Sequence, residues 1–408
     1  MPTSPALSEL LARRTGLAKS DAIRDILAAA AAPGILSMAG GLPAPDSFPV
    51  AELAQAAAEL LAKSPAVALQ YAPTEGIPAM REAVATRAGE TGAGTTVDRV
   101  LITSGSQQGL SLIADVLLEE NDIVVLDDPS YLGAVQTFQR AGAQLLPVPG
   151  DREGMRTDVL ADRLAAGTRC KLVYVIPHFH NPTGAVLSTP RRRQLAGLAE
   201  RYGFVVVEDD PYADLSFDGM RLPSMDVHTD RVIRLMSLSK TVCPGLRVSG
   251  LTGPRRLVTE LASAKQCADL QTNTFGQHML ARLLTDPGFL PDHVDRLRHF
   301  YRTKADQLAT LLSERLSWLA FEPPRGGLFF WCSITEPLVC SDDLAMAALA
   351  SGVAIVPGSP FCVERDGSYD LRLSYATLTH EMREAVDRLS AAFRKSRLNS
   401  SYFHRSSF

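Results

Sequence analysis

Between residues 97 and 253, short apolar runs alternate with longer helical patterns, and this alternation is what most constrains the fold. The runs are rich in β-branched residues and occupy positions 100–103, 123–126, 172–176, 204–207, 232–236 and 249–252. Continuous apolar runs separated by helices are typical of parallel strands buried on both faces of a sheet. The sequence therefore predicts an α/β protein with a mostly parallel central sheet.

Ligands of such sheets bind at the carboxyl ends of the strands. Polar and chemically reactive side chains follow the predicted strands at residues 104–107, 128–131, 178–184, 209–212 and 237–240. We expect these segments to meet at one edge of the sheet and to form the functional site.

The C-terminal quarter has a different pattern, with a helical segment at 293–316 and strand-like runs at 327–332, 353–356 and 371–374. A chain of 408 residues is long enough for two domains. We expect a large domain at residues 51–294 and a smaller α+β domain at 295–395. Residues 1–50 are expected to pack with the small domain, and residues 396–408 to form a flexible tail.

Composition excludes several classes of function. The chain has 41 basic and 45 acidic residues and a formal net charge of -4, so it has no general electrostatic reason to bind nucleic acid or an anionic membrane. The six cysteines are scattered, which argues against a disulfide framework or a metal site. No apolar stretch is long enough to span a bilayer. We expect a cytoplasmic protein whose partners are small molecules and another subunit.

Lys240 directly follows the strand-like run 232–236 and is flanked by Ser237, Ser239 and, seven residues later, Arg247. An amine beside hydroxyl and guanidinium groups is what an aldehyde cofactor with a phosphate group needs. Pyridoxal 5'-phosphate is held by a lysine Schiff base, an acidic partner for the pyridine nitrogen and a phosphate site. Taken alone, a motif of this kind more often contains an ordinary surface lysine.

A second phosphate-binding element follows the first strand of the predicted sheet. Gly105, Ser106 and Gln107 lie between the strand at 100–103 and a helical pattern that continues to residue 118. A helix N-terminus offers unpaired N–H groups and a partial positive charge, which suit a phosphate. The glycine allows the backbone to approach closely, so this turn is a candidate for one wall of the phosphate site.

Five ordered motifs carry a family resemblance: QYAPTEG at 70–76, SGSQQ at 104–108, NPTG at 181–184, EDDPY at 208–212 and SLSK at 237–240. Together they resemble the fold-type I pyridoxal-phosphate-dependent aminotransferases of class I/II. The branch with 2-aminoadipate (LysN-like), aromatic and kynurenine aminotransferases is the most similar. The resemblance extends from Ile23 to Tyr375 and implies the three-layer fold of that family.

The resemblance assigns roles around the cofactor ring. Lys240 carries the cofactor, and Asp209 pairs with the pyridine nitrogen and keeps it protonated. Asn181 and Tyr212 donate hydrogen bonds to the phenolic oxygen, and Tyr131 stacks on the ring. From the residues alone, the acidic cluster also fits a solvated turn, 181–182 a plain Asn-Pro turn, and Tyr131 a core tyrosine.

The resemblance also assigns the phosphate and the substrate carboxylate. Tyr71 corresponds to a tyrosine that reaches the phosphate from a neighbouring subunit, which would require a homodimer. Arg372 corresponds to the arginine that binds the substrate α-carboxylate, with the backbone amide of Gly41 beside it. The other interpretation of Arg372 is an exposed arginine on an edge strand.

Two segments depart from the family pattern. The N-terminal helix of the 2-aminoadipate branch has a small polar residue three positions before an arginine that can bind an acidic side chain, whereas Asp21 precedes Arg24 here. Asp21 either weakens the arginine by pairing with it or binds a cationic substrate. His178 and His180 are also unusual, and both a role near the cofactor and a plain loop role stay open.

The sequence thus predicts an aminotransferase that moves an amino group from an L-amino acid to a 2-oxo acid by ping-pong kinetics. Lys240 would act as general base and acid, with Asp209 and Tyr212 as the other catalytic residues. An alternative is a pyridoxal-phosphate-dependent oxidase, hydroxylase or cyclase of natural-product biosynthesis. A transcription regulator with an aminotransferase-like domain is a weaker alternative, because we find neither a basic patch nor room for a DNA-binding domain.

Overall fold

The computed structural model describes residues 10–17, 28 and 32–405. In chain order, the strands are β1 (Leu36–Ser37), β2 (Val100–Thr103), β3 (Ile123–Asp128), β4 (Gln144–Asp151), β5 (Gly154–Met155), β6 (Leu172–Val175), β7 (Val205–Asp209), β8 (Val232–Ser237), β9 (Ser249–Thr252), β10 (Leu319–Phe321), β11 (Phe329–Ile334), β12 (Val353–Ala354), β13 (Val356–Pro357) and β14 (Asp370–Ser374).

The α-helices, numbered here from the first one after residue 32, are α1 (Val50–Lys63), α2 (Pro65–Ala68), α3 (Pro78–Gly89), α4 (Ser106–Leu117), α5 (Leu132–Arg140), α6 (Thr157–Ala165), α7 (Thr189–Tyr202), α8 (Arg255–Asp269), α9 (Thr274–Thr285), α10 (Phe289–Arg315), α11 (Ser341–Ala350) and α12 (Met382–Arg405).

Eight strands form the central sheet in the order β2-β9-β8-β7-β6-β3-β4-β5. The run from β8 to β4 is parallel, whereas β9 is antiparallel to both β2 and β8. The predicted mostly parallel α/β sheet is therefore confirmed. Because β6 to β8 run in the same direction, the segments that follow them emerge at the same edge.

Helices cover both faces of this sheet, which explains the continuous apolar strands. In β6, Leu172 and Tyr174 belong to a core cluster shared with α4 and α5. Val173 and Val175 belong to a second cluster with α6 and α7 on the opposite face. Each residue of the strand is thus buried on one side or the other, giving the three layers that the family resemblance implies.

A second sheet, with the antiparallel order β10-β11-β14-β13, forms a smaller unit beside the large one. β1 pairs in parallel with β12, so the backbone near residue 36 is attached to this smaller unit. The hydrogen bond from the Ser374 N–H to the Met38 carbonyl extends the attachment towards residues 39–41.

Four strands of the structure, β1, β4, β5 and β10, lie outside the predicted strand runs. The longest of them, β4, contains Pro147 and Pro149, which lack the N–H groups that a central strand donates. β4 pairs with β3 over most of its length and with β5 only at its last residues, so most of its second edge needs no donors. Helix α12 continues to Arg405, ten residues beyond the predicted end of the small domain. Residues 396–405 contain neither glycine nor proline, so nothing in them stops the helix.

No helix in the described parts of the chain has the length and apolar character needed to cross a membrane. The same residues contain no group of three or more histidine, cysteine or acidic side chains arranged to hold a metal ion.

Candidate functional site

A cavity of about 1020 Å³ opens at the carboxyl edge of the central sheet, next to the smaller sheet. Twelve of the residues singled out from sequence line it: Gly41, Ser106, Gln107, Tyr131, Asn181, Asp209, Tyr212, Ser237, Ser239, Lys240, Arg247 and Arg372. They come from five separated stretches of the large unit and from two segments of the smaller one. The fold therefore brings the predicted site residues to one place.

Asp209 is the last residue of β7 and is almost completely buried. Its Oδ2 accepts a hydrogen bond from the Tyr174 hydroxyl at 3.0 Å, whereas Oδ1 is buried without a partner. Burial raises the pKa of Asp209 to about 7, although the Tyr174 hydrogen bond and the charge of Lys240 oppose the rise. An unpartnered carboxylate oxygen in a cavity wall is suited to a ligand N–H, and a protonated pyridine nitrogen supplies one.

Lys240 lies three residues after β8 and projects towards the smaller unit. Its Nζ donates a hydrogen bond to the carbonyl of Gly41 at 2.7 Å. Burial, together with the positive charges of Arg372 and Arg247, lowers the pKa of Lys240 to about 8. The amine therefore loses its proton more readily than an exposed lysine, which favours both attack on an aldehyde and general base catalysis.

The N-terminus of α4 forms an anion-binding end of the cavity. Gly105 has a φ of 86°, and a Cβ at this position would overlap the guanidinium of Arg247. Arg247 itself donates to the Ser104 carbonyl at 3.4 Å, and the Ser106 hydroxyl is buried without a partner. Helix amides, a guanidinium and an unpartnered hydroxyl together have the donor chemistry of a phosphate site.

Gln107 differs from the prediction in one respect. Its side-chain amide donates to the Thr137 hydroxyl at 2.7 Å and to the Gly133 carbonyl at 3.4 Å, which ties α4 to α5. The side chain is thus committed to holding the turn, while the backbone of Gln107 stays in the helix N-terminus. Gly105 does not line the cavity and acts by allowing Arg247 to approach.

Arg372 reaches from β14 across to the large unit. Its Nη1 donates to the Asn181 Oδ1 at 2.7 Å and its Nη2 to the Ala39 carbonyl at 2.6 Å. The guanidinium carbon lies 4.2 Å from the ring centroid of Phe329 and 4.9 Å from that of Phe361. Arg372 is buried, not an exposed edge-strand residue, and this burial lowers its pKa to about 10. A desolvated guanidinium is a strong partner for a ligand carboxylate.

Asn181 and Tyr212 lie next to Arg372 and to each other. Both residues line the cavity, and burial raises the pKa of the Tyr212 phenol. Both residues are buried, and the bond between Asn181 and Pro182 is cis. Tyr131 lines the same cavity, and burial likewise raises the pKa of its phenol, so it is neutral at physiological pH.

The two histidines left open by the sequence are placed outside the cavity lining. His178 Nδ1 lies 2.9 Å from Asp210 Oδ2, and its Nε2 lies 3.1 Å from Arg192 Nη2. Since the arginine is a donor, His178 accepts at Nε2 and donates at Nδ1. His180 Nδ1 instead lies 2.9 Å from the Thr183 hydroxyl. These contacts favour the plain loop role, because they hold the segment that presents Asn181.

Of the predicted site residues that the structure describes, Gly105 and Tyr71 do not line this cavity. The side chain of Tyr71 is exposed and does not line it. Asp21 and Arg24 lie outside the described residues. The specificity hypothesis built on them therefore stays a prediction.

Sequence reasoning missed two groups that hold the site. Tyr174, the hydrogen-bond donor to Asp209, was treated only as part of an apolar strand. The one sequence signal for this role is that Tyr174 is a polar aromatic residue in an otherwise aliphatic strand that ends shortly before Asn181. The Ala39 carbonyl, an acceptor for Arg372, carries no side-chain signal and is found only from the pairing of β1 with β12.

The unpartnered groups fit pyridoxal phosphate. A carboxylate oxygen at Asp209 suits the pyridine nitrogen, the hydroxyl of Ser106 near Arg247 suits the phosphate, and Lys240 supplies the amine for the aldehyde. The buried Nε of Arg372 also has no partner, which leaves a donor for a substrate carboxylate.

Comparison with known proteins gives consistent results. The family model "Aminotransferase class I and II" matches residues 36–389. The 2-aminoadipate transaminase of Thermus thermophilus is 40% identical over 394 residues, which is 95% of this chain and 97% of that protein. Aromatic-amino-acid aminotransferase 1 of Thermococcus litoralis is 35% identical over 387 residues, 92% of each chain. The crystal structure of LysN, the alpha-aminoadipate aminotransferase of Thermus thermophilus complexed with N-(5'-phosphopyridoxyl)-L-leucine, matches with a TM-score of 0.88 at 39% identity and covers 96% of this chain and 99% of that chain.

Proposed function

Because the chain belongs to the class I and II aminotransferases and transfers amino groups with pyridoxal phosphate, we propose that the cavity at the carboxyl edge of the sheet is its active site. We further propose that its preferred amino donors are L-amino acids with large apolar or aromatic side chains. The observation that carries the substrate proposal is the apolar wall of this cavity.

When bound, the cofactor supplies an aldehyde that accepts the amino group and a ring that withdraws electrons from the substrate. Lys240 Nζ would hold the cofactor and, once the amino group of the donor has displaced it, would take the α-proton of the donor, a task for which a pKa of about 8 is suitable. Asp209 Oδ1 would accept from the protonated ring nitrogen. Asn181 and Tyr212 would donate to the phenolic oxygen, and Tyr131 would pack against the ring.

The phosphate of the cofactor is assigned to the part of the cavity at the N-terminus of α4. The backbone N–H groups of Ser106 and Gln107 at the start of α4 would donate to the phosphate. Gly105, which has no Cβ, allows the Arg247 guanidinium to lie close to this turn. The hydroxyls of Ser237 and Ser239 and the guanidinium of Arg247 complete the site. These contacts anchor the cofactor independently of Lys240.

Arg372 is the proposed partner of the substrate α-carboxylate, with Asn181 and the backbone amide of Gly41 beside it. The rings of Phe329 and Phe361 cover the guanidinium and exclude water from it. An ion pair in such a desolvated site is stronger than one at the surface. The α-carboxylate is common to all amino acids, so this contact orients substrates without selecting among side chains.

Selection among side chains is assigned to the rest of the wall. Its aliphatic and phenyl side chains larger than alanine are Leu42, Leu110, Leu132, Ile176, Val356 and Phe361. Among the described lining residues the cations are Lys240, Arg247 and Arg372, and each already has a partner group in the scheme above. Burial of a leucine- or phenylalanine-sized side chain against such a wall contributes about 1.5–3 kcal/mol. The names of the relatives, an aromatic aminotransferase and a LysN bound to a leucine derivative, agree with this class.

A panel of amino donors with one 2-oxo acid acceptor tests this proposal. We expect kcat/KM for leucine and phenylalanine to exceed that for alanine by about tenfold or more, since each ~1.4 kcal/mol of binding is worth a factor of ten. With donor alone, one equivalent of 2-oxo acid should form per active site. Highest activity on aspartate or on alanine would contradict the apolar wall as the selecting element.

Asp21 and Arg24 are proposed to modulate this selection for charged donors such as 2-aminoadipate, the substrate named for one relative. If Arg24 binds an anionic tail, replacement Asp21→Ser removes a competing carboxylate and should raise kcat/KM for 2-aminoadipate about tenfold or more, the value of one charged hydrogen bond. If Asp21 binds a cationic tail, the same replacement should lower kcat/KM for basic amino acids. An unchanged profile would place Asp21 outside the site.

The active form is proposed to be a homodimer with shared sites. Tyr71 is 78% exposed and lies outside the cavity of its own chain. Exposed Leu69 and Leu270 accompany it, and the Ala72 N–H donates to the Gln271 side chain, so the two segments adjoin. Exposed apolar side chains grouped in this way are typical of a protein interface.

Mixing two inactive variants tests the shared site. Lys240→Ala and Tyr71→Ala subunits, unfolded and refolded together, should form hybrids with one intact site, so activity should return to about a quarter of the wild-type value. Each variant refolded alone is the control. A mixture no more active than the two controls, or a fully active monomer in sedimentation, would rule out the shared site.

We also place the enzyme in the cytoplasm. All six cysteines are unpaired, and Cys267 is exposed, which suits a reducing compartment. Fractionation of native cells with an antibody against the protein would test this placement, and recovery with extracytoplasmic markers would contradict it.

A further inference from the structure

Tyr174 occupies an unusual position for a strand residue. It is fully buried in β6, and its hydroxyl donates a hydrogen bond to Asp209 Oδ2 at 3.0 Å. In the sheet Tyr174 lies opposite Val207 of β7, and residues 207 and 209 point to the same face. The tyrosine therefore reaches Asp209 from the neighbouring strand. The ring of Phe138 packs edge-on against it, with centroids 5.9 Å apart, and fixes its orientation.

Asp209 depends on this contact more than an ordinary carboxylate would. Among residues 32–405, Tyr174 is the only side chain hydrogen-bonded to it. Two other features oppose its ionised form: complete burial, and the negative charge of the adjacent Asp210. Without a donor at Oδ2, the proton shared with a ring nitrogen would move towards the carboxylate. Hydrogen bonding to the charged form is what holds a buried acid ionised.

We propose that Tyr174 is a positioning residue for catalysis: its hydroxyl holds one oxygen of Asp209, keeps the carboxylate ionised and directs the other oxygen at the pyridine nitrogen. The inference rests on the role proposed for Asp209. In chemical terms, the pair of carboxylate and ring nitrogen holds one proton. Tyr174 places it on the nitrogen, where it makes the ring an electron acceptor, and removal of the hydroxyl shifts it towards the carboxyl group.

The test is Tyr174→Phe in the holoenzyme reconstituted with pyridine-¹⁵N-labelled cofactor. The ¹⁵N resonance reports directly where the proton lies, and we expect it to move from the protonated towards the unprotonated position. The value of kcat should fall about tenfold to a hundredfold, as expected for the loss of a hydrogen bond to a charged group. The KM for the donor and the dissociation constant of the cofactor should change less than about threefold.

Tyr375→Phe is the matched control. Tyr375 is also fully buried, and its hydroxyl donates to the Gly327 carbonyl at 2.6 Å, away from Asp209. Its replacement should lower thermal stability to a similar extent but leave the ¹⁵N resonance and kcat unchanged. This separates the general cost of losing a buried hydroxyl from an effect on Asp209.

A double-mutant cycle completes the test. In an Asp209→Asn background, Tyr174→Phe should have almost no further effect on kcat, because the carboxylate it supports is gone. A Tyr174→Phe enzyme with an unchanged ¹⁵N resonance and unchanged kcat would overturn the inference. So would equal effects of Tyr174→Phe in the two backgrounds. Transamination by the wild-type enzyme in the same assay keeps a failure of this inference distinct from a failure of the proposed function.

Discussion

Two carboxylates stand side by side at the end of β7, and their surroundings differ. Asp210 is held by His178 at 2.9 Å and lies within the electrostatic influence of Arg192 and Arg234. Asp209 has one side-chain donor, Tyr174, and each of the two carboxylates has one oxygen that is buried without a partner. Asp209 lines the cavity, whereas Asp210 does not line it and lies near His178, Arg192 and Arg234.

The direction of the pKa shift distinguishes the acid that stabilises the fold from the acid that we assign to the cofactor. Burial acts against ionisation of both, but the contact with His178 and the charges of Arg192 and Arg234 hold the pKa of Asp210 below its ordinary value. For Asp209, burial prevails and raises the pKa to about 7. The carboxylate that lines the cavity and has the raised pKa is the one we assign to the cofactor.

The largest expected effect is the loss of kcat when Lys240, a cavity residue like Asp209, is replaced. Lys240→Ala should reduce kcat at least about a thousandfold, because it removes both the amine that binds the cofactor and the general base. Lys265→Met is the control, since Lys265 is another buried lysine but is paired with Asp269 at 2.6 Å outside the cavity. Steady-state transamination measures both. Comparable losses in the two variants would mean that buried lysines act here only through stability.

The next effect separates the two carboxylates by rate. Asp209→Asn should lower kcat about a hundredfold or more while the cofactor stays bound, because an amide cannot hold the ring nitrogen protonated. Asp210→Asn, the same chemical change one residue away, should alter kcat less than about fivefold. Cofactor content and kcat of the two variants are the measurements. Near-wild-type turnover of Asp209→Asn would show that the acid is misassigned.

The same pair should also differ in stability, with opposite signs, in the protein freed of cofactor. The pKa of Asp209 is raised from 3.8 to about 7, so the folded state binds this proton more tightly and its contribution to stability is lost as the pH rises from 3.8 to about 7. Asp209→Asn should therefore be more stable than wild type at about pH 8, by up to roughly 4 kcal/mol.

Asp210 should behave in the opposite way. Its pKa is lowered, so its contribution is present above the ordinary value of 3.8 and is lost only as the pH falls below it. Asp210→Asn should destabilise the protein at about pH 8 by roughly 3–5 kcal/mol, the cost of leaving His178 and Arg192 without their anion. Midpoints of urea denaturation at about pH 5 and about pH 8 provide the comparison. Shifts of the same sign in both variants would contradict the opposite roles of burial and pairing that we infer for the two carboxylates.

The sequence was sufficient for the parts of the site that carry distinctive side chains in distinctive order. Lys240, Asp209, Asn181 and Arg372 were singled out by motif, and all line one cavity. The apolar runs also predicted the parallel strands of the sheet, because burial on both faces requires such runs. The sequence did not indicate which side chains are hydrogen-bond partners. That Asp209 pairs with Tyr174 and Asp210 with His178 depends on which side of β7 each faces.

Backbone contributions were equally hidden. The Ala39 and Gly41 carbonyls accept hydrogen bonds from Arg372 and Lys240 only because β1 pairs with β12 and brings this segment to the cavity. Strand β4 was missed because its prolines argue against a strand unless its open edge is known. These features follow from long-range packing, which no local pattern of residues reports.

Lys240 is the residue that we assign to the cofactor aldehyde, and covalent mapping identifies that residue. The holoenzyme is reduced with borohydride, digested and analysed by peptide mass spectrometry. We predict a single pyridoxyl group on Lys240 and none on Lys265 or the surface lysines. A pyridoxyl group found on any other lysine, with Lys240 unmodified, would contradict the account.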